Sequence, residues 1–157
     1  MTPAIRDPSY GVNPDRKDPI PMTVADRISR IDANRAVVLE LYRRLGAGDL
    51  DGAFALLHED FVSHNPRVPH DPERSSGRRA FRDFFDTPAG RSLAAADQDV
   101  LRVVAGDDLV AVHLRSTAAG AETAIVDLLL VRDGLIAEHW DVVQPVPAAL
   151  PHPHGMF

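Results

Sequence analysis

The 157-residue sequence contains no cysteine, a single tryptophan and no long apolar run. The absence of cysteine excludes disulfides, thiolate nucleophiles and cysteine-ligated metals. A membrane-spanning helix needs about 18 or more consecutive apolar residues, and the N-terminal region has no apolar stretch of signal-peptide length. We therefore expect a cytoplasmic protein that makes no use of a membrane.

Positive charge is also scarce, since 17 lysines and arginines stand against 23 aspartates and glutamates, for a formal net charge of -6. Binding to nucleic-acid phosphates needs a basic stripe, and none is evident. The sequence has no G-x-S-x-G, no glycine-rich phosphate loop and no HExxH. Its seven histidines show no recognisable metal-ligand spacing. We expect no nucleic-acid partner, no metal and no cofactor.

Three segments differ in composition. Residues 1–22 hold five prolines and little periodic apolar content, which predicts a Pro-rich N-terminal arm. Residues 23–147 have the patterning of one folded domain, as expected for a chain of this length. Residues 148–157 are predicted to form a C-terminal tail, because the prolines from Pro145 onward cannot continue a central strand.

The central domain changes its pattern halfway along. Apolar residues at three- and four-residue steps predict helices, and runs of Val, Ile and Leu between turn residues predict strands. The first half then contains helices over 23–45 and 78–85, a short helix capped by Asp49, and a strand over 61–65. The second half contains strands over 100–105, 109–117, 123–131 and 135–143. Helices followed by an antiparallel meander predict an α+β fold.

Two polar side chains interrupt these apolar strands. Asp127 has apolar neighbours on both sides, and desolvation favours a carboxyl group that holds or exchanges a proton near neutral pH. His113 has a similar position one strand earlier, and adjacent strands can bring the two together as a proton-transferring pair. The alternative is that Asp127 bonds a backbone amide or an arginine and that His113 is a core or rim residue.

The segment Glu138-His139-Trp140-Asp141 is dense in functional groups. Strand alternation places His139 and Asp141 on one face and Glu138 and Trp140 on the other, and the sequence leaves open which face is interior. Trp140 is predicted to form a flat apolar wall for a ligand, with core packing as the alternative.

His64-Asn65-Pro66 ends the early strand. The imidazole and the amide can reach a pocket mouth there and bind a carbonyl oxygen, although Asn-Pro is also common turn chemistry. Phe61 on the same strand and Tyr42 on the first helix are further candidates for binding a substrate.

Taken together, these features resemble the SnoaL-like branch of the NTF2-like superfamily. The resemblance rests on the order of helices and strands, on Asp127 before the turn at 132–136, and on the following Glu-His-Trp-Asp-Val-Val-Gln-Pro. It covers about residues 28–147 and extends to the terminal Met-Phe. It implies a cone of N-terminal helices packed on a curved, mostly antiparallel sheet that encloses a pocket. It also implies a homodimer formed through the open sheet face.

The resemblance further implies roles for individual residues. Polyketide cyclases of the SnoaL type use an aspartate as acid/base and a histidine one strand earlier, at positions that match Asp127 and His113. Ketosteroid isomerases place a protonated aspartate at the position of Asp127 and a base where this chain has Asn65, which argues against steroid-type isomerisation. Limonene epoxide hydrolases use an Asp-Arg-Asp arrangement, for which Arg115, Asp127 and Asp141 offer only the residue types.

The sequence therefore predicts a cofactor-independent acid/base enzyme acting on a small, largely apolar, carbonyl-bearing metabolite, as a polyketide-type cyclase or isomerase. The catalytic candidates are Asp127, His113, His64 and Asn65. The substrate-binding candidates are Trp140, Phe61, His139, Asp141 and Tyr42. The alternatives are an epoxide-hydrolase-like or dehydratase enzyme of the same fold, and a binding protein without activity.

Overall fold

A computed structural model describes residues 22–157. Apart from Met22, the predicted N-terminal arm lies outside these residues. The helices are α1 (Val24–Gly46), α2 (Leu50–Phe54), α3 (Gly77–Phe85) and α4 (Pro88–Ala94). The strands are β1 (Leu57–Ser63), β2 (Asp97–Ala105), β3 (Leu109–Ala118), β4 (Ala121–Arg132) and β5 (Leu135–Pro145).

The five strands form one sheet in the order β1-β5-β4-β3-β2. Strands β2 to β5 are an antiparallel meander, and β1 joins the edge of β5 in parallel. The predicted α+β class and meander are therefore confirmed. Strand β1 begins four residues earlier than predicted and ends before His64, because Leu57 already pairs with Ile136 of β5.

Side-chain caps fix where several helices begin. Thr23 and Asp26 form a reciprocal capping box at the start of α1, and Asp49 caps α2 as predicted by accepting a hydrogen bond from the Gly52 amide. Helix α4 was not predicted, although Thr87 accepts from the Gly90 amide and a proline follows Thr87. Thr-Pro is a recognised helix start. The helix was not predicted because the segment after it is short and consists mostly of small residues.

The core fills the space between the helices and one face of the sheet. Every second residue of β3 and β4 points to this inner face, and the aromatic residues of β1, α2 and α3 cover it. The most enclosed of these side chains are Val38, Leu57, Phe61, Val110, Val112, Leu114, Leu129 and Ile136. The other face of the sheet, called the outer face below, exposes several valines.

Helix α3 packs directly against β1 at a glycine. A Cβ atom on Gly77 would overlap the carbonyl oxygen of Phe61, so only glycine permits this approach. The close contact brings the Phe81 ring to 5.1 Å from the Phe61 ring and turns Phe84 and Phe85 into the core. The contact between Gly77 and the Phe61 backbone therefore determines where the aromatic side chains of α3 lie on the inner face.

The C-terminal tail contains no helix or strand and returns to the outer face. The Phe157 ring lies 4.5 Å from the Arg115 guanidinium carbon and 6.0 Å from the His113 ring, measured between ring centres. Within residues 22–157, no helix combines the length and the apolar character that a membrane crossing requires.

Candidate active site

The register of the sheet brings two carboxyl groups together on the inner face. Asp127 of β4 lies directly opposite Asp141 of β5, and paired residues of neighbouring strands project to the same side. His139 precedes Asp141 by two residues and shares that side. Potential ligand atoms of all three residues lie within 4.8 Å of one another. His139 and Asp141 are therefore the interior pair, and Glu138 and Trp140 face outward.

Each carboxyl group has a hydrogen-bonding partner from another part of the fold. The hydroxyl of Tyr42 on α1 donates to Oδ2 of Asp127. Nε2 of His139 lies 3.4 Å from Oδ1 of Asp127, and the side-chain amide of Asn65 donates to Oδ2 of Asp141 at 2.5 Å. Asp127 is therefore bonded neither to a backbone amide nor to an arginine within the described chain. We call these five residues the polar cluster.

The polar cluster opens into a cavity of about 100 Å³ whose lining is mainly apolar. Aromatic residues of β1 and α3 form much of the wall, and the remaining polar side chains of the lining are Arg67 and Gln98. The main apolar contributors are Leu41, Leu45, Leu57, Phe61, Phe81, Phe84, Phe85, Leu93, Leu114, Ile125, Leu129 and Ile136. A site of this kind suits an apolar molecule that carries a few hydrogen-bonding atoms.

Burial shifts the acid–base behaviour of the phenol in this cluster. The pKa of Tyr42 is raised well above its usual value near 10, first by desolvation, then by the charge of Asp127 and its hydrogen bond, and by the charge of Asp141. Tyr42 therefore remains protonated at neutral pH and acts as a hydrogen-bond donor. Within the described chain, no lysine or arginine forms an ion pair with either carboxyl group of the cluster.

His139 lies beside Asp127 and beside the ring of Phe81. Its Nε2 faces Oδ1 of Asp127, and the side chains of His139 and Asp127 are only 13% and 12% exposed. Its other ring nitrogen, Nδ1, is buried and has no hydrogen-bond partner within residues 22–157. The tautomer of the ring is thus set by its carboxyl neighbour, as in acid–base pairs in which a carboxylate orients an imidazole.

The predicted pairing of His113 with Asp127 is wrong. The residue of β3 that lies opposite Asp127 is Val112, and His113 pairs with Val126 on the outer face. There Arg102 donates to Nδ1 of His113 at 3.0 Å. A difference of one position in register places a strand residue on the opposite side of the sheet.

The prediction that His64 and Trp140 line the pocket is wrong as well. Their rings stack on the outer face with centres 4.7 Å apart, and His64 Nε2 lies 3.3 Å from a carboxyl oxygen of Glu138. The chain alternates, so Asn65 turns inward and is buried where the neighbouring histidine is not. The predicted binding residue Phe61 does line the cavity.

Tyr42 also lines the cavity as predicted, but its contact with Asp127 was not foreseen. The available signal was a hydroxyl-bearing side chain in the apolar stripe of α1, four residues after the buried Val38. The Asp-Arg-Asp set for which Arg115, Asp127 and Asp141 offer the residue types is not assembled, because Arg115 does not line the cavity. Arg115 lies on the outer face, 3.4 Å from Glu122 and beneath Phe157.

Asp127, His139 and Asp141 together offer donor atoms of the kind that divalent cations bind. This grouping was not visible in the linear sequence because the residues come from two strands. However, one oxygen of each carboxyl group already accepts a hydrogen bond, from Tyr42 or from Asn65.

Solved structures with the same arrangement of helices and strands define the class of this protein. A proposed ketosteroid isomerase from Kribbella flavida is 24% identical with a TM-score of 0.59, over 80% of this chain and 85% of that one. IdmH, a proposed polyketide cyclase from Streptomyces antibioticus, is 24% identical with a TM-score of 0.56, over 70% and 91%. An NTF2-like protein of unknown function from Burkholderia xenovorans is 16% identical with a TM-score of 0.62, over 78% and 91%. The fold is therefore the NTF2-like cone.

The sequence comparison is more specific than the fold. Residues 38–139 match the family model of the SnoaL-like domain, and the chain belongs to this family. No curated protein matches the chain. The predicted fold and the predicted SnoaL-like family are thus confirmed.

Proposed function

We propose that this protein is a cofactor-independent acid/base enzyme that acts as a cyclase or isomerase on a small, largely apolar metabolite carrying a carbonyl group. One observation carries the proposal. Both carboxyl oxygens of Asp127 face proton-bearing groups, Tyr42 and His139, at the wall of a mainly apolar cavity. The family and the proposed activities of the similar structures from Kribbella and Streptomyces support the same class of reaction.

In this proposal, Oδ1 of Asp127 takes a proton from the carbon next to the carbonyl group of the substrate, and Nε2 of His139, which faces that oxygen, assists the transfer. The electron pair of the broken C–H bond moves into the carbonyl group and forms an enolate. Asn65 has a second amide hydrogen with no acceptor among the described residues, and it donates to the enolate oxygen. Tyr42 keeps its proton and fixes the carboxyl group of Asp127 by a hydrogen bond.

Two fates of the enolate fit this arrangement. In an isomerisation, the proton returns to a different carbon of the conjugated system. In a cyclisation, the enolate carbon bonds to a second carbonyl carbon of the same molecule, and the oxygen of that carbonyl takes the proton. Both reactions balance without an oxidant, a reductant or water. Epoxide hydrolysis through Arg115, Asp127 and Asp141 is disfavoured because Arg115 lies on the outer face. Arg67 lines the cavity with the two aspartates, but within residues 22–157 it forms no ion pair with either.

The test is hydrogen exchange at an activated carbon, which does not require the natural substrate. A cyclic β,γ-unsaturated ketone and an aryl 1,3-diketone are incubated with the protein in D₂O, and the α-proton signals are followed by NMR. We expect the wild type to accelerate exchange. We expect Asp127→Asn to reduce the acceleration by about 10³-fold, within the usual range for removing a general acid or base.

The matched control is His113→Gln, which alters a strand residue one position away in register but on the outer face. We expect it to leave exchange within about twofold of wild type, because it does not reach the cavity. Circular dichroism checks that both variants fold. Exchange that is unaffected by Asp127→Asn would overturn the proposal. Tight binding of the ketones without any exchange would favour a binding protein.

We also propose that the protein forms a homodimer through the outer face. Val104 of β2 and Val142 of β5 are 70% and 69% exposed there, and Val126 between them is 40% exposed. An apolar patch of this kind on a sheet is typical of an interaction surface.

A further inference from the structure

Arg67 differs from most arginines of the described chain. Its side chain lines the cavity, and no acidic group within residues 22–157 lies at ion-pair distance from it. The arginines of α3, by contrast, each have a carboxylate partner: Arg78 pairs with Glu59, Arg79 with Asp83 and Arg82 with Asp51. Arg67 is exposed while it lines the cavity, so it lies at the cavity entrance.

The backbone of Arg67 is tied to the polar cluster. Its amide donates to Oδ1 of Asn65 at 2.8 Å, and the other end of the same side chain donates to Asp141. The next residue, Val68, is buried and donates its amide to the Asn65 carbonyl at 3.0 Å. The loop is therefore fixed on both sides of Arg67, and its guanidinium group projects from a rigid base.

The charges of the lining give Arg67 a distinct role. The acidic side chains that line the cavity are Asp127 and Asp141, and both would repel an anion from the polar cluster. Among residues 22–157, Arg67 is the only permanently cationic residue of the lining. A guanidinium group presents a planar fork of donors that matches a carboxylate in a two-point contact.

From these observations we infer that Arg67 forms an anion-binding subsite at the cavity entrance and recognises a carboxylate, or a chemically equivalent oxyanion, on the substrate. The inference rests on the proposed function and deepens it. A substrate anchored at Arg67 by its anionic end directs its apolar body into the aromatic cavity. Its carbonyl group is then oriented toward the polar cluster, away from solvent.

A first experiment measures binding and requires no turnover. The probes are 3-benzoylpropionate, an aryl ketone with a carboxylate, and its methyl ester, each titrated calorimetrically into the full chain. We expect the wild type to bind the carboxylate about tenfold more tightly than the ester, since a hydrogen bond to a charged group gives roughly this factor. Arg67→Gln should remove the preference and leave the affinity for the ester unchanged, and Arg67→Lys should retain part of it.

The matched control is Arg132→Gln. Arg132 is another exposed arginine without an acidic partner in the described chain, but it lies at the end of β4, away from the cavity lining. We expect this variant to bind both probes as the wild type does. Equal affinity of the wild type for carboxylate and ester would overturn the inference, and so would equal weakening of both probes by Arg67→Gln.

A second experiment separates this inference from the proposed function. Deuterium exchange at the carbon beside the ketone of 3-benzoylpropionate is followed by NMR at several probe concentrations. We expect Arg67→Gln to raise KM about tenfold with kcat little changed, because ground-state and transition-state binding of the anion are lost equally. If the wild type binds the carboxylate through Arg67 but catalyses no exchange, the proposed function falls and the subsite stands. If exchange proceeds with no effect of Arg67→Gln on KM, the subsite falls and the proposed function stands.

Discussion

The two faces of the sheet carry similar sets of side chains in different surroundings. On the inner face, His139 lies beside Asp127 next to the aromatic wall of α3. On the outer face, His64 lies beside Glu138 and stacks on Trp140. The side chains of the inner pair are 13% and 12% exposed, whereas those of the outer pair are 42% and 35% exposed.

Residue type alone therefore does not make an acid–base site. In water, an imidazole and a carboxylate exchange protons with solvent, and their attraction is screened. In an apolar cavity the same two groups interact strongly, and a proton held between them is available to a bound molecule. The difference between the faces should therefore appear in activity.

Among the tests of this comparison, the largest effect is expected from replacing one histidine on each face. We expect His139→Gln to lower deuterium exchange into an activated ketone about 10²-fold, because a positioned acid–base group contributes at least that factor. We expect His64→Gln to change the rate less than twofold. Both rates are measured by NMR in D₂O under the same conditions. A loss of similar size in both variants would contradict the distinction between inner and outer face.

A smaller effect is expected for Tyr42→Phe, which removes one donor from Asp127 on the inner face. We expect exchange to fall about tenfold and the free energy of unfolding at pH 7 to fall by about 1 to 3 kcal/mol, because a buried acceptor loses its partner.

The pH dependence of stability sharpens this expectation. The pKa of Tyr42 is raised in the folded protein, mainly by burial, whereas a tyrosine in the unfolded chain ionises near pH ~10. Above that pH the unfolded chain releases a proton that the folded chain keeps, so stability falls as pH rises toward the folded-state pKa. Urea unfolding between pH 8 and about 11 should show a shallower decline for Tyr42→Phe than for wild type. Parallel curves for wild type and Tyr42→Phe would contradict the raised pKa.

The smallest effect on activity is expected from the outer face. We expect Val104→Lys combined with Val142→Lys to convert the proposed dimer into a monomer, since two buried charges would oppose each other across the interface. Exchange activity should stay within about twofold of wild type. Light scattering measures the mass, and the control places lysines at Val24 and Ile28, which are exposed on α1. A wild-type monomer, or a dimer that survives the double substitution, would contradict the proposal.

Much of the fold could be predicted from the sequence, because hydrophobic period and turn residues are local signals. Six of the residues named as candidates line the cavity, and their roles stay predictions: Tyr42, Phe61, Asn65, Asp127, His139 and Asp141. The partner of Asp127 was misidentified because the face of a strand residue depends on register, which is not a local property.

The length of the turn between β3 and β4 decides the face on which His113 lies. A three-residue turn at 118–120 would pair Thr117 with residue 121 and place His113 opposite Ile125, on the same face as Asp127. The actual turn has two residues, Ala119 and Gly120, both with positive φ, and Ala118 pairs with residue 121. Positive φ is uncommon for alanine, so the sequence gives no indication of this turn.

The parallel edge strand has a consequence for the order in which the protein assembles. The hydrogen bonds of the polar cluster join residues 85 and 76 positions apart in the chain, Tyr42 to Asp127 and Asn65 to Asp141. The strands of the meander are joined by short hairpins, so their contacts are local. Strand β1 pairs with β5 across a long segment of chain, and such distant contacts form slowly. The meander can therefore fold without creating a functional cavity. Local opening of this edge would separate Asn65 from Asp141 while β3 and β4 remain closed. Among the five strands, we therefore expect amide hydrogen exchange to be fastest along β1.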